Sequence, residues 1–512
     1  MKISEQHNVA EAILSGGKAD RAALFFGRQV VTHGELRAAA CHWDGRLRAR
    51  GLARGDRVGL FAENGPFFAA AYLGTIRAGF CAVPCPVDCG NATLERIVKS
   101  TDMKCLLVSA RFQSRIEPQA ERLGLPLEAE SPVPPRADQA AAPPAEVDPR
   151  RELAAIMFTS GSTGDVKGVM VTHHNILVNA EDILGYTGIG ADDRAMTVLP
   201  FCYCYGTSLL HTHLMAGGSL VINNRFLFPE KVLDEMEQRR CTGLAGVPAT
   251  YQILLRKTRF AQRKFPALRW LQQAGGKLPN PLIREIRQAF PEVKLFVMYG
   301  QTEATARLSY LPPERLDDKL GSVGKGLAHT RLEVLKEDGS PVRPGSEEVG
   351  EIVASGENVT LGYWNDPDET SRYFRNGKLH TGDMARVDAD GFIFIVERAR
   401  DFIKAMGYRV EPKEVEEVLA EMPEIVEAAV VGVPDELWGE VIRAFIVTVR
   451  PGQLTADAVY SHCLKRLPNY KIPQHVEFLP KLPKIGNGKV DKETLSALPC
   501  EAASGDVTDD DR

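Results

Sequence analysis

Thr159-Ser160-Gly161-Ser162-Thr163-Gly164-Asp165-Val166-Lys167-Gly168 is the stretch of this chain that best decides its fold. Its three glycines let backbone N–H groups turn inward, its four hydroxyl groups add donors, and Lys167 adds a positive charge. Such a loop can surround phosphate oxygens, although its spacing is not that of a Walker A loop. A segment rich in Ser and Gly is more often a flexible linker. Because apolar segments that favour β-strands flank it at residues 153–158 and 168–171, we predict a phosphate-binding loop between two strands.

The residues before this loop alternate between helical and strand patterns. Residues 34–50 and 67–78 carry apolar side chains at helical spacing, whereas residues 56–62 and 81–84 favour strands. This alternation predicts a layered and mostly parallel α/β sheet. After the loop, Thr172 can cap a helix. Four more short buried strands are predicted at residues 218–222, 244–247, 270–274 and 295–298.

The rest of the chain is predicted to form two smaller units. Residues 321–395 contain β segments separated by turns, which favours a β-rich subdomain. The last stretch of roughly 110 residues has the size of an independent α+β domain. Residues 501–512 carry no core-forming side chains and are expected to be disordered. The α+β domain is predicted to have helices at 412–421 and 455–467 and strands at 428–433 and 444–449.

The composition is that of an ordinary globular protein, with 44% hydrophobic and 25% charged residues and a net charge of −5. This charge gives no reason to expect nucleic acid as a partner. No stretch approaches 18 consecutive apolar residues, so no membrane span is predicted. The first residues lack the apolar core of a secretory signal, and the ten cysteines are scattered. Together these features favour a reducing cytoplasm.

Three cysteines, Cys81, Cys85 and Cys89, lie four residues apart and could suggest a metal site. Four-residue spacing aligns ligands only on a helix, and Pro84 and Pro86 prevent a helix there. We therefore interpret these cysteines as structural thiols.

Further motifs follow the glycine-rich loop in a fixed order: Ala274–Pro279, Tyr299-Gly300-Gln301-Thr302-Glu303, Thr381-Gly382-Asp383, the segment 397–416 and Lys484–Val490. Each alone could be an ordinary turn. Together with residues 159–168, their order and spacing resemble the AMP-forming adenylating enzymes. This family includes acyl-CoA synthetases, aryl-CoA ligases, peptide-synthetase adenylation domains and luciferases.

The resemblance implies an α/β fold with two domains. A large N-terminal domain, residues 1–397, would contain layered α/β subdomains and the β-rich subdomain. A hinge at residues 398–402 would lead to a small mobile α+β domain at 403–499, with a disordered tail at 500–512.

The resemblance also implies which residues bind the nucleotide. The glycine-rich loop would hold phosphate, the turn after residue 274 would pass beside the adenine, a tyrosine ring would cover the adenine, and an aspartate with an arginine would take the ribose hydroxyls. These residues are Thr159, Ser160, Gly161, Ser162, Thr163, Gly164, Lys167, Gly275, Gly276, Lys277, Tyr299, Gly300, Asp383 and Arg398. Asp383 as a simple turn residue is the alternative interpretation.

Three residues are implied to act in the reaction itself. Thr302 would bind a phosphate oxygen, Glu303 would hold Mg²⁺, and Lys489 would reach the carboxylate and the α-phosphate. Gly407 would line the passage for pantetheine. Arg400 stands at the hinge position, where family members usually carry Asp or Lys.

One further departure is Glu397, which replaces the usual glycine before Arg398. Arg400 keeps the positive charge of the usual lysine, so the hinge is still expected to work.

The acid pocket is less well specified. The segment Leu199–Gly206 resembles a family segment in which many CoA ligases have His where this chain has Tyr203. Cys202 and Tyr203 supply no counter-charge for an ammonium group, so an α-amino acid is disfavoured. An apolar pocket for a fatty or aryl acid is predicted, with ordinary core packing as an equal alternative. Its candidate residues are Phe201, Cys202, Tyr203, Tyr205, Gly246, Met298 and Leu308.

The resemblance implies a ligase that uses ATP, Mg²⁺ and CoA. A carboxylate would attack the α-phosphorus of ATP to give acyl-AMP and pyrophosphate, and a thiol would then displace AMP. The alternative acceptor is the phosphopantetheine arm of an acyl carrier protein. A non-catalytic nucleotide-binding relative is disfavoured because Glu303, Asp383 and Lys489 are all present.

Overall fold

The computed structural model describes residues 7–131, 142–160, 166–398, 402–405, 408–435, 439–485 and 489–499. The chain divides into two compact units at residue 400. Lys489 groups with the first unit, although Ile485 and Val490 belong to the second. Within the described ranges, no helix is both long and apolar enough to cross a lipid bilayer.

The helices and strands have the following bounds. The strands of the first unit are β1 Ala22–Phe26, β2 Gln29–Thr32, β3 Arg57–Phe61, β4 Cys81–Pro84, β5 Cys105–Val108, β6 Leu127–Ala129, β7 Leu153–Ser160, β8 Val166–Thr172, β9 Arg194–Thr197, β10 Ser219–Ile222, β11 Gly243–Gly246, β12 Trp270–Gln273, β13 Lys294–Tyr299, β14 Ser309–Leu311, β15 Thr330–Leu335, β16 Gly350–Gly356, β17 Phe374–Arg375, β18 Lys378–Val387 and β19 Ile393–Arg398. Its helices are α1 Val9–Leu14, α2 His33–Ala49, α3 Pro66–Arg77, α4 Asn91–Thr101, α5 Gln113–Arg122, α6 His173–Thr187, α7 Cys204–Met215, α8 Pro229–Gln238, α9 Pro248–Lys257, α10 Asn280–Ala289 and α11 Pro367–Tyr373. The second unit contains β20 Ile403–Ala405, β21 Tyr408–Val410, α12 Pro412–Ala420, β22 Ile425–Asp435, β23 Gly439–Thr448, α13 Ala456–Leu464, β24 His475–Phe478 and α14 Lys492–Ser496.

Two large sheets form the body of the first unit. One has the strand order β14-β13-β12-β11-β9-β10-β1-β2 and the other β6-β5-β3-β4-β7-β8. Neighbouring strands are parallel except for the pairs β1–β2, β13–β14 and β7–β8 at the sheet edges. The predicted strands are confirmed as β3, β4 and β10 to β13, and the predicted helices as α2 and α3.

The interior strands are covered on both faces. Every residue of β4, β5, β10 and β11 is buried, which is typical of parallel strands between layers of helices. The core that includes Leu24, Phe68, Met157 and Phe296 joins side chains of both large sheets. The two sheets therefore share one core.

Helix α6 begins where the sequence predicts. Thr172 accepts from the backbone of Asn175, and the Asn175 side chain accepts from the backbone of Thr172, which forms a capping box. Both residues are buried. The helix thereby starts directly after β8, at the base of the glycine-rich hairpin.

The cysteines at positions 81 and 85 are buried in and beside β4. Burial raises the pKa of Cys81 to about 12, so its thiol stays protonated. The part of the chain that the structure describes contains no group of three or more His, Cys, Asp or Glu arranged to hold a metal ion. The buried positions agree with structural thiols.

Two smaller sheets complete the described fold. In the first unit, β15, β16, β18, β17 and β19 form the predicted β-rich subdomain. In the second unit, β20 to β24 form a mixed sheet with its own core, which includes Ile403, Val415, Ile442 and Val459. Strands β22 and β23 are longer than predicted, because they pair with each other from Ile425 and Thr448 to Asp435 and Gly439.

Candidate active site

Four neighbouring strands place most of the predicted residues at one edge of the eight-stranded sheet. Strands β9, β11, β12 and β13 are parallel and adjacent, so their carboxyl ends meet at the same edge. Ligands bind in α/β folds at such an edge. The residues that follow these strands are Cys202, Tyr203 and Tyr205 after β9, Gly246 at the end of β11, Gly275 to Lys277 after β12, and Tyr299 to Glu303 at the end of β13.

Two turns at this edge require glycine for different reasons. Gly275 has φ +87°, a left-handed conformation that strains other residues. At Gly300 a Cβ atom would lie 2.0 Å from the carbonyl oxygen of Ala306, so the backbone of the next turn occupies that space. Gly276 and Lys277 are exposed at the same turn.

Tyr299 and Asp383 are joined by a hydrogen bond. The Tyr299 hydroxyl donates to Oδ2 of Asp383 at 2.6 Å, and each residue is 9% exposed. Across strands β18 and β19, Asp383 is paired in register with Arg398, whose side chain lies outside the described part of the structure. A ring and a carboxylate are thus held together although they are 84 residues apart.

Thr302 and Glu303 are half-buried beside these residues. The Thr302 hydroxyl lies 3.2 Å from the sulfur of Cys204, and Oε1 of Glu303 accepts a hydrogen bond of 2.7 Å from the Tyr363 hydroxyl. Thr360 donates its backbone N–H and its hydroxyl to the Glu303 carbonyl oxygen, which fixes the turn. Mg²⁺ usually takes one or two protein carboxylates, with phosphate and water as its other ligands. One carboxylate beside one hydroxyl therefore fits such an ion.

Lys167 lies on β8, opposite Thr159 in the β7–β8 hairpin. Its ammonium group forms an ion pair with Glu369 and lies 5.7 Å from the ring centre of Tyr363 and 5.8 Å from that of Tyr373. Since Tyr363 also donates to Glu303, the hairpin and the Glu303 turn share a neighbour. The predicted loop residues Gly161, Ser162, Thr163 and Gly164, and the Ser160 side chain, lie outside the description.

The predicted pocket residues are divided between packing and polar contacts. The Tyr205 hydroxyl donates to the carbonyl of Gln272 at 3.2 Å, and Sδ of Met298 accepts from Tyr186 at 3.1 Å. A Cβ atom on Gly246 would lie 2.9 Å from the side chain of Thr250. Phe201 and Leu308 are fully buried, as expected for core residues. Burial raises the pKa of the Cys202 thiol and of the Tyr203 hydroxyl, so both stay neutral.

A small cleft with a cavity volume of about 20 Å³ lies beside these residues. Its lining does not include Cys202, Tyr203, Tyr205, Gly246 or Met298, although it does include Cys204. Other lining residues are Asn179, Ser208, His211, Thr305 and Ala306.

The His211 ring in this cleft is neutral. Its Nε2 lies 3.1 Å from the Tyr72 hydroxyl, and burial lowers the pKa of His211 to about 3. His211 therefore contributes no positive charge to the cleft at neutral pH.

Lys489 is exposed and groups with the first unit. Burial raises the pKa of the Cys204 thiol, whereas the hydrogen bond from Thr302 and the positive charges of Arg307 and Lys489 act in the opposite direction. Arg400 and Gly407 lie outside the described residues. Sequence reasoning missed Tyr363, Glu369 and Arg307, because no local pattern marks a residue whose partners are distant in sequence.

Comparisons with known proteins cover nearly the whole chain. The model of the family described as AMP-binding enzyme matches residues 14–364, and that of the AMP-binding enzyme C-terminal domain matches residues 414–489. A feruloyl-CoA synthase of Amycolatopsis sp is 33% identical over 476 residues, which cover 91% of this chain and 94% of the relative.

Solved structures are similar over comparable lengths. The o-succinylbenzoate CoA synthetase of Bacillus subtilis in complex with its acyl-adenylate intermediate has a TM-score of 0.82 and 29% identity, covering 96% of this chain and 99% of that chain. A structure of the same enzyme in complex with ATP and magnesium ion has a TM-score of 0.80 and 29% identity, covering 95% and 98%.

Proposed function

The chain belongs to the AMP-binding enzyme family, and on that basis we propose that it is an AMP-forming acid–CoA ligase. It activates an apolar carboxylic acid, of the fatty or aryl class, to acyl-AMP and then transfers the acyl group to CoA. One observation carries this proposal: Tyr299, Thr302, Glu303 and Asp383 converge where parallel strands end. That convergence supplies an aromatic face, a hydroxyl and two carboxylates at one site.

In this proposal Tyr299 and Asp383 bind the nucleoside. The ring of Tyr299 covers the adenine, and its hydroxyl holds Asp383 so that the carboxylate accepts from the ribose hydroxyls. Arg398 assists Asp383, and the backbone at Gly275 and Gly276 passes beside the base. The residues from Thr159 to Gly164, with Lys167, bind the phosphates.

The adenylation step brings two anions together. An oxygen of the carboxylate bonds to the α-phosphorus of ATP while the bond to pyrophosphate breaks, so donors and positive charge must offset the accumulating negative charge. Thr302 donates to a phosphate oxygen and Lys489 bridges the carboxylate and the α-phosphate. When bound at Glu303, Mg²⁺ supplies charge neutralisation on the phosphates.

The thiolation step needs a different arrangement. The CoA thiolate bonds to the acyl carbon and AMP leaves with the electron pair of the broken bond. Pantetheine enters past Gly407, and a hinge at residues 398–402, centred on Arg400, exchanges the Lys489 loop for the Gly407 loop. The large domain at 1–397 and the mobile domain at 403–499 are the two bodies that this motion requires.

The acceptor in this proposal is the thiol of CoA. A carrier-protein phosphopantetheine ends in the same thiol as CoA, and the CoA synthase relative favours CoA. A cytoplasmic setting stays a prediction.

The test is pyrophosphate release by the purified protein with ATP and Mg²⁺ across a panel of fatty and aryl acids. We expect release that depends on the acid, and acyl-CoA product when CoA is added. Release that is equally fast without any acid, or no release with any acid, would contradict the proposed function. Product with a phosphopantetheinylated carrier protein but not with CoA would establish the alternative acceptor.

A further inference from the structure

Arg307 is a buried guanidinium for which the described chain provides no carboxylate. We propose that Arg307 binds a second anionic group of the acid, a carboxylate or sulfonate distant from the reacting carboxylate. The substrate would then be an acid, most simply an aryl acid, that carries a second negative charge. This inference rests on the proposed function and narrows the substrate class of the same site, to an acid whose apolar body carries one further anionic group.

Three arginines in the described part of the chain are buried, and Arg307 differs from the other two. Arg77 pairs with Asp44, and Arg443 pairs with Glu477 at 2.5 Å. Arg307 is only 1% exposed, its Nε–H has no hydrogen-bond partner, and no carboxylate of the described residues lies within ion-pair distance of it. Its charge is therefore unpaired within that part of the chain.

The described neighbours of the Arg307 guanidinium are two neutral aromatic side chains, Tyr205 and Tyr186. The guanidinium carbon lies 4.7 Å from the ring centre of Tyr205. Its charge is also close enough to the Tyr186 hydroxyl to oppose the rise in the pKa of Tyr186 that burial causes. The buried carboxylate on the same helix as Tyr186 belongs to Asp182, which accepts from Nδ1 of His329 at 2.8 Å. The aromatic rings offset part of the desolvation of the guanidinium, but they do not neutralise its charge.

A buried charge without an opposite charge is costly, so proteins normally pair it or bind an ion there. The backbone at Arg307 is also fixed in place, because its carbonyl accepts from Asn179 at 2.9 Å and from Asn358 at 2.8 Å. A guanidinium held in a rigid frame and surrounded by neutral rings is suited to bidentate binding of a carboxylate or sulfonate. An anionic ligand would complete this site.

The position of Arg307 connects it with the acid pocket. It stacks on Tyr205 and contacts Tyr186, which in turn donates to Met298. The preceding residue, Ala306, lines the cleft that Cys204 also lines. Arg307 therefore lies at the predicted pocket, four residues beyond Glu303.

A second unpartnered polar side chain supports a polar ligand in the same region. Gln272 is 1% exposed, and neither its Oε1 nor its Nε2 has a hydrogen-bond partner in the described structure. Its own carbonyl accepts from the Tyr205 hydroxyl, and its strand neighbour is Phe296, whose ring lies 5.8 Å from that of Tyr186. The Nε–H of Arg307 and the side-chain amide of Gln272 thus lie near the same aromatic residues, and both lack a hydrogen-bond partner among the described residues.

The test compares matched acids in the pyrophosphate-release assay. Phenylalkanoic acids of several chain lengths are tested, each beside its para-carboxy, para-sulfo and neutral para-carboxamide derivatives. For at least one chain length we expect the wild-type kcat/KM to be about 100-fold higher for the dianionic derivatives than for the carboxamide. Arg307→Met should remove this preference, and Arg307→Lys should keep part of it.

Arg256→Met is the matched control. Arg256 is also largely buried and also has an unpartnered Nε, but its Nη1 donates at 2.7 Å to Glu285 on helix α10, so its charge is paired. This variant should keep the wild-type ratio between the acids. If Arg307→Met instead lowers kcat/KM equally for all acids, Arg307 either contacts the reacting carboxylate or supports the fold, and the proposal is overturned.

A binding measurement keeps the test decisive if a variant is inactive. Terephthalate and 4-sulfobenzoate should raise the melting temperature of the wild type in the presence of AMP, and should not raise that of Arg307→Met. Without ligand, the Met variant should be at least as stable as the wild type, because an unpaired buried charge is removed. A wild type that activates phenylalkanoic acids without any preference for their dianionic partners would refute the inference while leaving the proposed function intact. No activity with any acid would contradict both.

Discussion

At the scale of single residues, the hydrogen bond between Tyr299 and Asp383 joins the two groups that we assign to the nucleoside. Asp383→Ala removes the carboxylate that would accept from the ribose hydroxyls. Hydrogen bonds to a charged group are strong enough for the KM for ATP to rise about 10- to 100-fold, with a smaller change in the KM for the acid. Steady-state kinetics with each substrate varied in turn measures both constants.

Tyr299→Phe is the control for this prediction. It keeps the ring that would cover the adenine and removes only the 2.6 Å bond to Asp383. Its KM for ATP should rise less than that of Asp383→Ala. Similar effects of both variants on ATP and acid alike would show that the pair stabilises the fold rather than binding the nucleoside.

Glu303 carries the second residue-scale prediction. Glu303→Gln removes the charge while keeping a hydrogen-bond acceptor for the Tyr363 hydroxyl. If the carboxylate holds Mg²⁺, adenylation should slow about 10²-fold and require more Mg²⁺. Tyr363→Phe keeps the Glu303 carboxylate and should slow adenylation much less. A Gln variant with normal turnover at low Mg²⁺ would remove Glu303 from the metal site.

At the scale of elements, the capping box of Thr172 and Asn175 starts the helix that carries Asn179, the donor to the Arg307 carbonyl. Thr172→Ala should lower the free energy of unfolding by about 1 to 2 kcal/mol, since a cap of this kind is worth that much. Urea denaturation measures the change. The KM for ATP should stay normal in the surviving folded protein.

Thr32→Ala offers a matched comparison, because Thr32 forms a capping box with Glu35 at the start of α2. That capping box is more exposed. Its loss should therefore lower the free energy of unfolding less than the loss of the buried capping box at Thr172. If both substitutions leave the unfolding curve unchanged, the capping boxes do not contribute to stability.

The elements themselves could be predicted from the sequence, because their signals are local. Thr172 precedes an apolar helical pattern, and residues 270–274 form a short apolar run, so α6 and β12 follow from neighbouring side chains. The start of α7 at Cys204 was not predicted, since the segment 199–206 carries no helix-capping side chain. Strand bounds in the second unit were also underestimated, because pairing between β22 and β23 extends both strands.

The site could be predicted only in part, because sequence patterns are local and many contacts in the site join residues that are distant in sequence. Motif residues such as Tyr299 and Glu303 follow a strand and carry distinctive chemistry. Their partners are fixed by the tertiary fold: Tyr363 is 60 residues from Glu303, and Glu369 is 202 residues from Lys167. Arg307 stands within an apolar stretch that favours core packing. Its burial beside Tyr205 reveals a charge that has no carboxylate partner among the described residues.

At the scale of the whole molecule, the proposed reaction has two steps that make opposite demands on Lys489. During adenylation its ammonium group would bridge the attacking carboxylate and the α-phosphate, where negative charge accumulates. During thiolation the small domain would have rotated about the hinge, and Lys489 would no longer be near the acyl-adenylate. A residue that serves only one of two steps can be recognised by measuring each step separately.

Lys489→Ala should therefore slow the formation of acyl-AMP by about 10²-fold or more, the scale of a lost electrostatic contact to a transition state. The same variant should convert supplied acyl-AMP and CoA to acyl-CoA at close to the normal rate. Lys484→Ala is a suitable control, because Lys484 begins the same motif but pairs with Glu427 within the second unit. It should leave both half-reactions nearly unchanged. If Lys489→Ala impairs both steps equally, then either Lys489 supports the fold or the domain does not rotate, since rotation alone separates the two steps.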